Sequence, residues 1–147
     1  MSERVIVIYD STFGNTKIIA ETIAGEFHSG TKPVHVSEIS VEALSDFDII
    51  IVGSPIIGWK PTEKTDIFLN SLKAGMLTGK KAATFDTRVK LFIHGDAAKK
   101  IAEKLKNAGA EIIIDPQPFY VKGKEGPLFD GEIESVKSWV KKIKALL

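Results

Sequence analysis

Residues 10–16 read Asp10-Ser11-Thr12-Phe13-Gly14-Asn15-Thr16 and follow the short apolar run Val5–Tyr9. From Thr16 to about Phe27, apolar residues recur with helical spacing at positions 18, 19, 20, 23, 24 and 27. The pattern predicts a buried strand, a hydroxyl-rich loop and a helix. Backbone N–H groups at the start of a helix carry positive partial charge, so the sequence predicts a phosphate site at this loop.

Side chains of this first loop strengthen that prediction. Hydroxyl and amide groups crowd around one point, on Ser11, Thr12, Asn15 and Thr16, and Gly14 lets the backbone approach an anion closely. An ordinary helix N-cap would explain one such residue, but four within six positions favour phosphate binding. Lys17 opposes the helix dipole, so it either faces a bound phosphate or points into solvent.

The composition restricts the classes of protein. The chain has 147 residues, of which 44% are hydrophobic, so we expect a single domain over residues 1–147. The net charge of +1 gives no reason to expect nucleic-acid binding. Cysteine is absent and the three histidines are scattered, so no metal site is expected. No apolar stretch reaches the ~20 residues that span a bilayer, and no signal peptide is recognisable, so we expect no membrane insertion and a cytoplasmic location.

Strands and helices are predicted to alternate along the rest of the chain. The later strands are expected at 34–39, 48–52, 81–85 and 111–114, the last continuing at 119–121 past Pro116 and Pro118. Helices are expected at 62–72, with Ile67, Phe68 and Leu72 facing inward, at 96–107 and at 133–146. The alternation predicts a doubly wound α/β fold, a five-stranded parallel sheet with helices on both faces.

Ligands of such sheets bind beyond the C-terminal ends of the strands, where the strand order reverses. The loops after the first, third and fourth strands meet at that edge. In this sequence they cover residues 10–17, 53–62 and 86–96. We therefore expect the functional site among these three loops.

The first loop and its surroundings resemble the FMN-binding signature of the flavodoxin family. Val7-Ile8-Tyr9 is followed by Ser11, Gly14, Thr16, Ala20 and Ile23 at the spacings that the signature requires. Residues 102–112 are also similar to that family, and the whole chain can be aligned with its short-chain form. The resemblance implies a flavodoxin-like fold with strand order 2-1-3-4-5, non-covalently bound FMN and one- or two-electron transfer.

Position by position, the resemblance implies which residues bind FMN. In the first loop, the side chains of Ser11, Thr12, Asn15 and Thr16 and the backbone N–H groups of residues 12–16, which include Phe13 and Gly14, would hold the phosphate. The second loop would line the isoalloxazine ring with Ser54, Pro55, Ile56, Ile57, Gly58 and Trp59. Gly58 tolerates positive φ and so permits a peptide to reorient near the flavin. Trp59 either stacks on the ring or packs under the loop.

The third loop departs most from the family. Thr87 and the backbone near it, with Arg88, are expected at the pyrimidine edge of the flavin. Asp86 either bonds a ribityl or ring N–H group or caps a turn. Phe92 stands about where a stacking tyrosine is expected, and a role in the core is equally open.

The leading hypothesis is an FMN-binding, low-potential electron carrier, a monomer or weak homodimer acting between a reductase and an acceptor protein. The first alternative is an FMN-dependent NAD(P)H:quinone-type reductase, because Arg88 and Lys90 suit a nucleotide phosphate, or equally an acidic protein. The second alternative is a non-redox module that uses the first loop for another phosphate ligand or for protein contacts. No side chain is expected to act as a catalytic acid or base.

Overall fold

The computed structural model describes residues 3–27, 31–90 and 95–147. Its strands are β1 (Val5–Tyr9), β2 (Pro33–His35), β3 (Ile49–Pro55), β4 (Lys81–Val89), β5 (Glu111–Ile112) and β6 (Gln117–Val121). Its α-helices are α1 (Asn15–Glu26), α2 (Glu63–Asn70), α3 (Ala97–Asn107) and α4 (Glu132–Ala145). The strands form a parallel sheet in the order β2-β1-β3-β4-β5, which confirms the predicted topology.

Alternating side chains divide the core into two layers, one on each face of the sheet. Val5 and Val7 of β1 pack on the side covered by α1 and α4. Ile6 and Ile8 pack on the opposite side, against α2 and α3. Both faces of the central strands are therefore buried, which explains their nearly continuous apolar sequences. Burial of each large apolar side chain contributes about 1.5–3 kcal/mol to the stability of the fold.

The strands β2 and β4 differ most in length from the prediction. β2 ends at His35, and Val36–Glu38 form a 3₁₀ turn instead of continuing the strand to residue 39. The ring Nδ1 of His35 accepts the N–H of Ser37 at 3.1 Å, which turns the chain out of the sheet. β4 continues to Val89 because it is paired on both sides, with β3 as far as Thr87 and with β6 from Phe85 to Val89.

The extension of β4 changes the third loop. Asp86, Thr87 and Arg88 belong to a strand and not to a loop, and the connection to α3 starts only after Val89. Phe92 lies outside the described residues. The predicted continuation of the last strand beyond the prolines is confirmed, because β5 and β6 both pair with β4 in parallel.

Ile67 was predicted to face inward, but its side chain is exposed, as is the side chain of Ile18 in α1. Ile67 in α2 is 61% exposed and Ile18 in α1 is 45% exposed. Successive residues of an α-helix are rotated by about 100°, and the buried face of α2 is formed by Thr65, Phe68 and Leu69. Ile67 lies off that face, so the prediction for Ile67 was wrong. Within the part of the chain that the structure describes, no helix is long and apolar enough to cross a bilayer.

Candidate functional site

A cavity of about 260 Å³ opens at the C-terminal ends of β1, β3 and β4, where the sequence predicted the site. Ten of the predicted residues line it: Thr12, Phe13, Asn15, Thr16, Pro55, Ile56, Ile57, Trp59, Thr87 and Arg88. Four further residues line it that sequence reasoning missed: Val89, Gly95, Val121 and Lys124. The other predicted residues, Ser11, Gly14, Ser54, Gly58 and Asp86, do not line it.

The start of α1 forms one end of the cavity. Its N-cap is Gly14, whose φ of 93° is in the left-handed region and which offers no side chain to the helix. The hydroxyl of Ser11 accepts the N–H groups of Gly14 at 3.0 Å and of Lys17 at 3.4 Å. The N–H groups of Asn15 and Thr16 find no acceptor among the described residues. They are donors at the positive end of a helix, which is the arrangement that binds anions.

Asp10 stabilises the first loop through hydrogen bonds, a role that the sequence analysis did not assign to it. Its buried carboxylate accepts the N–H of Ser11 at 2.8 Å and the hydroxyl of Thr62 at 2.6 Å. Its Oδ1 also lies 2.9 Å from Nε2 of His35. Asp10 therefore connects the end of β1 with β2 and with the N-cap of α2. Its position directly after a buried strand was the one signal available in the sequence.

The second loop closes as a tight turn beside the cavity. Ile57 donates its N–H to the carbonyl of Lys60 at 2.8 Å, and Lys60 returns a bond of 3.3 Å. Between them Gly58 and Trp59 have φ values of 59° and 72°, as in a type I′ turn. Trp59 is the one non-glycine residue with positive φ among the described residues. Such a backbone costs about 1–3 kcal/mol and persists only where the surroundings hold it.

The start of α3 supports this strained turn. A Cβ atom at Gly95 would lie 2.2 Å from the Cα of Trp59, so only glycine permits this approach. The ammonium of Lys100 donates to the carbonyl of Trp59 at 3.1 Å. At the other end of the loop, the buried hydroxyl of Ser54 accepts the N–H of Thr62 at 3.1 Å. These contacts leave the Trp59 side chain 56% exposed at the edge of the cavity.

A buried ion pair lies at the end of β4, which forms the third side of the site. The Asp86 carboxylate is fully buried and accepts two bonds from the Arg88 guanidinium, at 2.9 and 2.6 Å. It also accepts the N–H groups of Ala97 and Ala98 at the start of α3. Of the two roles predicted for Asp86, the geometry favours the cap.

Arg88 itself lines the cavity and lies 3.3 Å from Asp96. Burial acts to lower the pKa of Arg88, but the hydrogen bond and charge of Asp86, aided by Asp96, outweigh it and raise the pKa above its ordinary value. Arg88 is therefore a permanent cation. Because Asp86 and Arg88 are two residues apart on β4, they project to the same face of the sheet.

A pair of hydroxyls joins the first and third sides of the site. The Oγ1 atoms of Thr16 and Thr87 lie 2.8 Å apart in a buried contact. Thr87 projects to the opposite face of β4 from Asp86 and Arg88, toward α1. The pair therefore fixes the start of α1 against the end of β4.

Comparison with known proteins identifies the family. The sequence model of the flavodoxin domain matches residues 6–110. Over 120 residues the chain is 33% identical to a flavodoxin of Maridesulfovibrio salexigens, covering 75% of this chain and 81% of that protein. The chain belongs to the flavodoxin family. The cofactor of the family is FMN, and its general role is electron transport.

Solved structures agree with this assignment at the level of the fold. Flavodoxin 1 from Bacillus cereus superimposes with a TM-score of 0.83 at 22% identity, covering 97% of this chain and 98% of that one. A flavodoxin from the domain Archaea gives a TM-score of 0.75 at 25% identity, covering 97% of each chain. The short-chain flavodoxin fold predicted from the sequence is thus confirmed.

The site of this flavodoxin has the chemistry that FMN requires. The free N–H groups of Asn15 and Thr16 suit a phosphate at one end of the cavity. Ile56, Ile57 and Trp59 give an apolar wall for a flat ring system. A polar end and an apolar wall on one cavity match the two ends of FMN.

Proposed function

We propose that this flavodoxin is a low-potential electron carrier that binds FMN in the described cavity and passes electrons between redox partner proteins. The observation that carries the proposal is the uncapped start of α1, which opens on the same cavity as the apolar wall of the second loop. When bound, FMN supplies the capacity to take up and release single electrons. The protein binds it, orients it and sets the electrostatics around it.

Each side of the cavity has a distinct part in this proposal. The N–H groups of Asn15 and Thr16, with the hydroxyl of Thr12, hold the phosphate. Ile56 and Trp59 cover the ring on the side of the second loop. Thr87 and the neighbouring backbone of β4 face it from the other side. No side chain of the site has to donate or accept a proton, so we assign no catalytic acid or base.

The charges next to the cavity favour a low reduction potential. Asp86, Arg88 and Asp96 form a connected group of two carboxylates and one guanidinium, which leaves one net negative charge. Arg88 neutralises the buried Asp86, so the net charge of the group lies on Asp96, whose side chain is 41% exposed. A fixed negative charge opposes the uptake of further negative charge, and the apolar wall opposes it as well.

The contacts of the basic residues support a carrier over an NAD(P)H-dependent reductase. Arg88 is only 8% exposed and its guanidinium is bonded to Asp86. The Lys90 ammonium lies over the rings of Tyr120 and Phe129, at 5.2 and 4.7 Å from their centroids. Both cations are engaged within the fold, so neither supports binding of a nucleotide phosphate.

Titration of the apoprotein with FMN, followed by flavin fluorescence and the visible spectrum, tests the proposal. We expect quenched fluorescence, reduction by dithionite in two separate one-electron steps at low potential, and no bleaching by NADH or NADPH alone. Failure to bind FMN would overturn the proposal, and direct reduction by NADPH would replace the carrier with the reductase. A Trp59→Ala variant is expected to bind both FMN and riboflavin about tenfold more weakly, because the ring loses its aromatic cover.

A further inference from the structure

A fourth loop contributes to the site, following β6. Residues 122–127 form a closed turn in which Lys122 donates its N–H to the Pro127 carbonyl at 2.8 Å. Within it, Gly126 donates to the Gly123 carbonyl at 2.9 Å, and Val121 and Leu128 form a bridge at its base. The loop is therefore held in shape by its own backbone bonds.

This loop is seated on the start of α1. The side-chain amide of Asn15 donates to the Glu125 carbonyl at 3.1 Å. Gly126 has a φ of 103°, and a Cβ atom there would lie 2.6 Å from the amide of Asn15. Two residues of the fourth loop thus contact the first residue of α1, at the end of the cavity that has the free N–H groups.

Lys124 is the residue of this loop that lines the cavity, together with Thr12, Asn15 and Thr16. Its side chain is exposed and makes no ion pair with the residues that the structure describes. Lys17, in the first turn of α1, also lies next to the first loop, but it does not line the cavity. Lys124 therefore places a positive charge, without an ion-pair partner among the described residues, at the end of the cavity where the phosphate is proposed to bind.

We propose that Lys124 binds the phosphate group of FMN, as a ligand from a fourth loop. A phosphate monoester carries about −1.5 to −2 charge at pH 7. The N–H and hydroxyl groups of the first loop donate hydrogen bonds to it without neutralising that charge. An ammonium on a flexible four-carbon stem can reach it from the fourth loop, and a charge-assisted hydrogen bond is about twice as strong as a neutral one.

The inference rests on the proposed function, and a comparison of two flavins tests the two separately. Riboflavin has the ring and the ribityl chain of FMN but no phosphate. Wild-type apoprotein, Lys124→Gln and Lys122→Gln are titrated with each flavin at low and high salt, followed by fluorescence quenching. Lys122→Gln is the matched control, because Lys122 is exposed on the same loop and does not line the cavity.

We expect Lys124→Gln to weaken FMN binding about tenfold at low salt and to leave riboflavin binding unchanged. The difference is expected to shrink at high salt, and Lys124→Arg is expected to restore most of the affinity. Unchanged FMN binding by Lys124→Gln, or equal losses for both flavins, would overturn the role of Lys124 while the FMN site stands. Absence of FMN binding by the wild-type protein would overturn the proposed function itself.

Discussion

Helices α1 and α3 both begin at the C-terminal edge of the sheet, but their first turns are built in opposite ways. At α3, Asp96 accepts the N–H of Lys99 at 2.8 Å, and Asp86 accepts those of Ala97 and Ala98 at 3.2 and 2.9 Å. At α1, the N-cap is a glycine, the first turn contains no acidic residue, and its third residue is a lysine.

The protein's own carboxylates accept the backbone N–H groups at the start of α3, whereas N–H groups at the start of α1 are left for a ligand to accept. Carboxylates occupy the donors of α3 and leave no room for an external anion. At α1 the N–H groups of Asn15 and Thr16 stay available, because the N-cap glycine offers no side chain to accept them. A bound phosphate would supply the missing acceptor. Substitutions that exchange these features between the two helices therefore test the interpretation.

The largest effect is expected at Asp86, on the α3 side. Asp86→Asn removes the charge that pairs with Arg88 and weakens the acceptor of two helix N–H groups. Removing one partner of a buried ion pair leaves the other uncompensated, so we expect a loss of about 3 kcal/mol in the free energy of unfolding. Urea denaturation of the apoprotein measures it.

Asp96→Asn makes the same change of charge at a partly exposed site, where asparagine still caps a helix well, so a loss below about 1 kcal/mol is expected. Equal effects of Asp86→Asn and Asp96→Asn would show that burial of the pair does not matter, against the structure.

The second largest effect on stability is expected at the contact between the hydroxyls of Thr16 and Thr87. Thr87→Val removes the buried partner of the Thr16 hydroxyl, which then lies unsatisfied at the start of α1. A loss of about 1–2 kcal/mol is expected, because a buried polar group without a partner retains its desolvation cost. Thr22→Val is the matched control: this exposed hydroxyl bonds only within α1, to Ile18, and its loss should change stability by less than about 0.5 kcal/mol. A Thr87→Val protein as stable as the control would contradict the contact.

The sequence carried enough information for the fold, since alternating strands and helices and the apolar runs of β1 and β3 depend on local pattern. It did not carry the length of β4. Asp86-Thr87-Arg88 looks polar and loop-like, and becomes a strand only because β6 pairs with it. The positions of Gly95 and Lys124 in the site likewise depend on contacts between distant segments. Short-range pattern contains no trace of such contacts.

The first loop shows the complementary case, in which local pattern was sufficient for placement, and the structure adds a second role for two side chains. Ser11 stays predicted as a phosphate ligand, because its hydroxyl accepts backbone N–H groups of its own loop and keeps its own proton to donate. Asn15 stays predicted for the same role, because its side-chain amide has two N–H groups and donates to the Glu125 carbonyl with one nitrogen. Both side chains also hold the loop whose backbone faces the cavity, a role that the sequence did not predict.

The third largest effect on stability is expected from Ser11→Ala, which tests how the start of α1 is held. Its hydroxyl is the one side-chain acceptor at the start of α1 among the described residues, and its loss is expected to cost about 1 kcal/mol of unfolding free energy. Ser71→Ala removes a hydroxyl that bonds within α2 at its exposed end, and serves as the control with a change below about 0.5 kcal/mol. Thermal unfolding of both apoproteins measures the difference. If Ser11→Ala matches the control, the Ser11 hydroxyl does not hold the loop.

The smallest effect, and the most informative about the comparison, is expected from Lys17→Glu. It gives the first turn of α1 the acidic character already present in α2, which has Glu63 and Asp66, and in α4, which has Glu132 and Glu134. An acidic residue near a helix N-terminus is favourable, so the apoprotein should gain about 0.5 kcal/mol. The same charge repels the phosphate, so FMN affinity should fall a few-fold while riboflavin affinity stays constant. Lys17→Gln should give about half of each change. If Lys17→Glu lowers the stability of the apoprotein, or leaves FMN affinity unchanged, then this helix start does not trade stability for phosphate binding. If stability rises while FMN affinity falls, α1 lacks an acidic first turn because a phosphate takes the place of the acidic side chain.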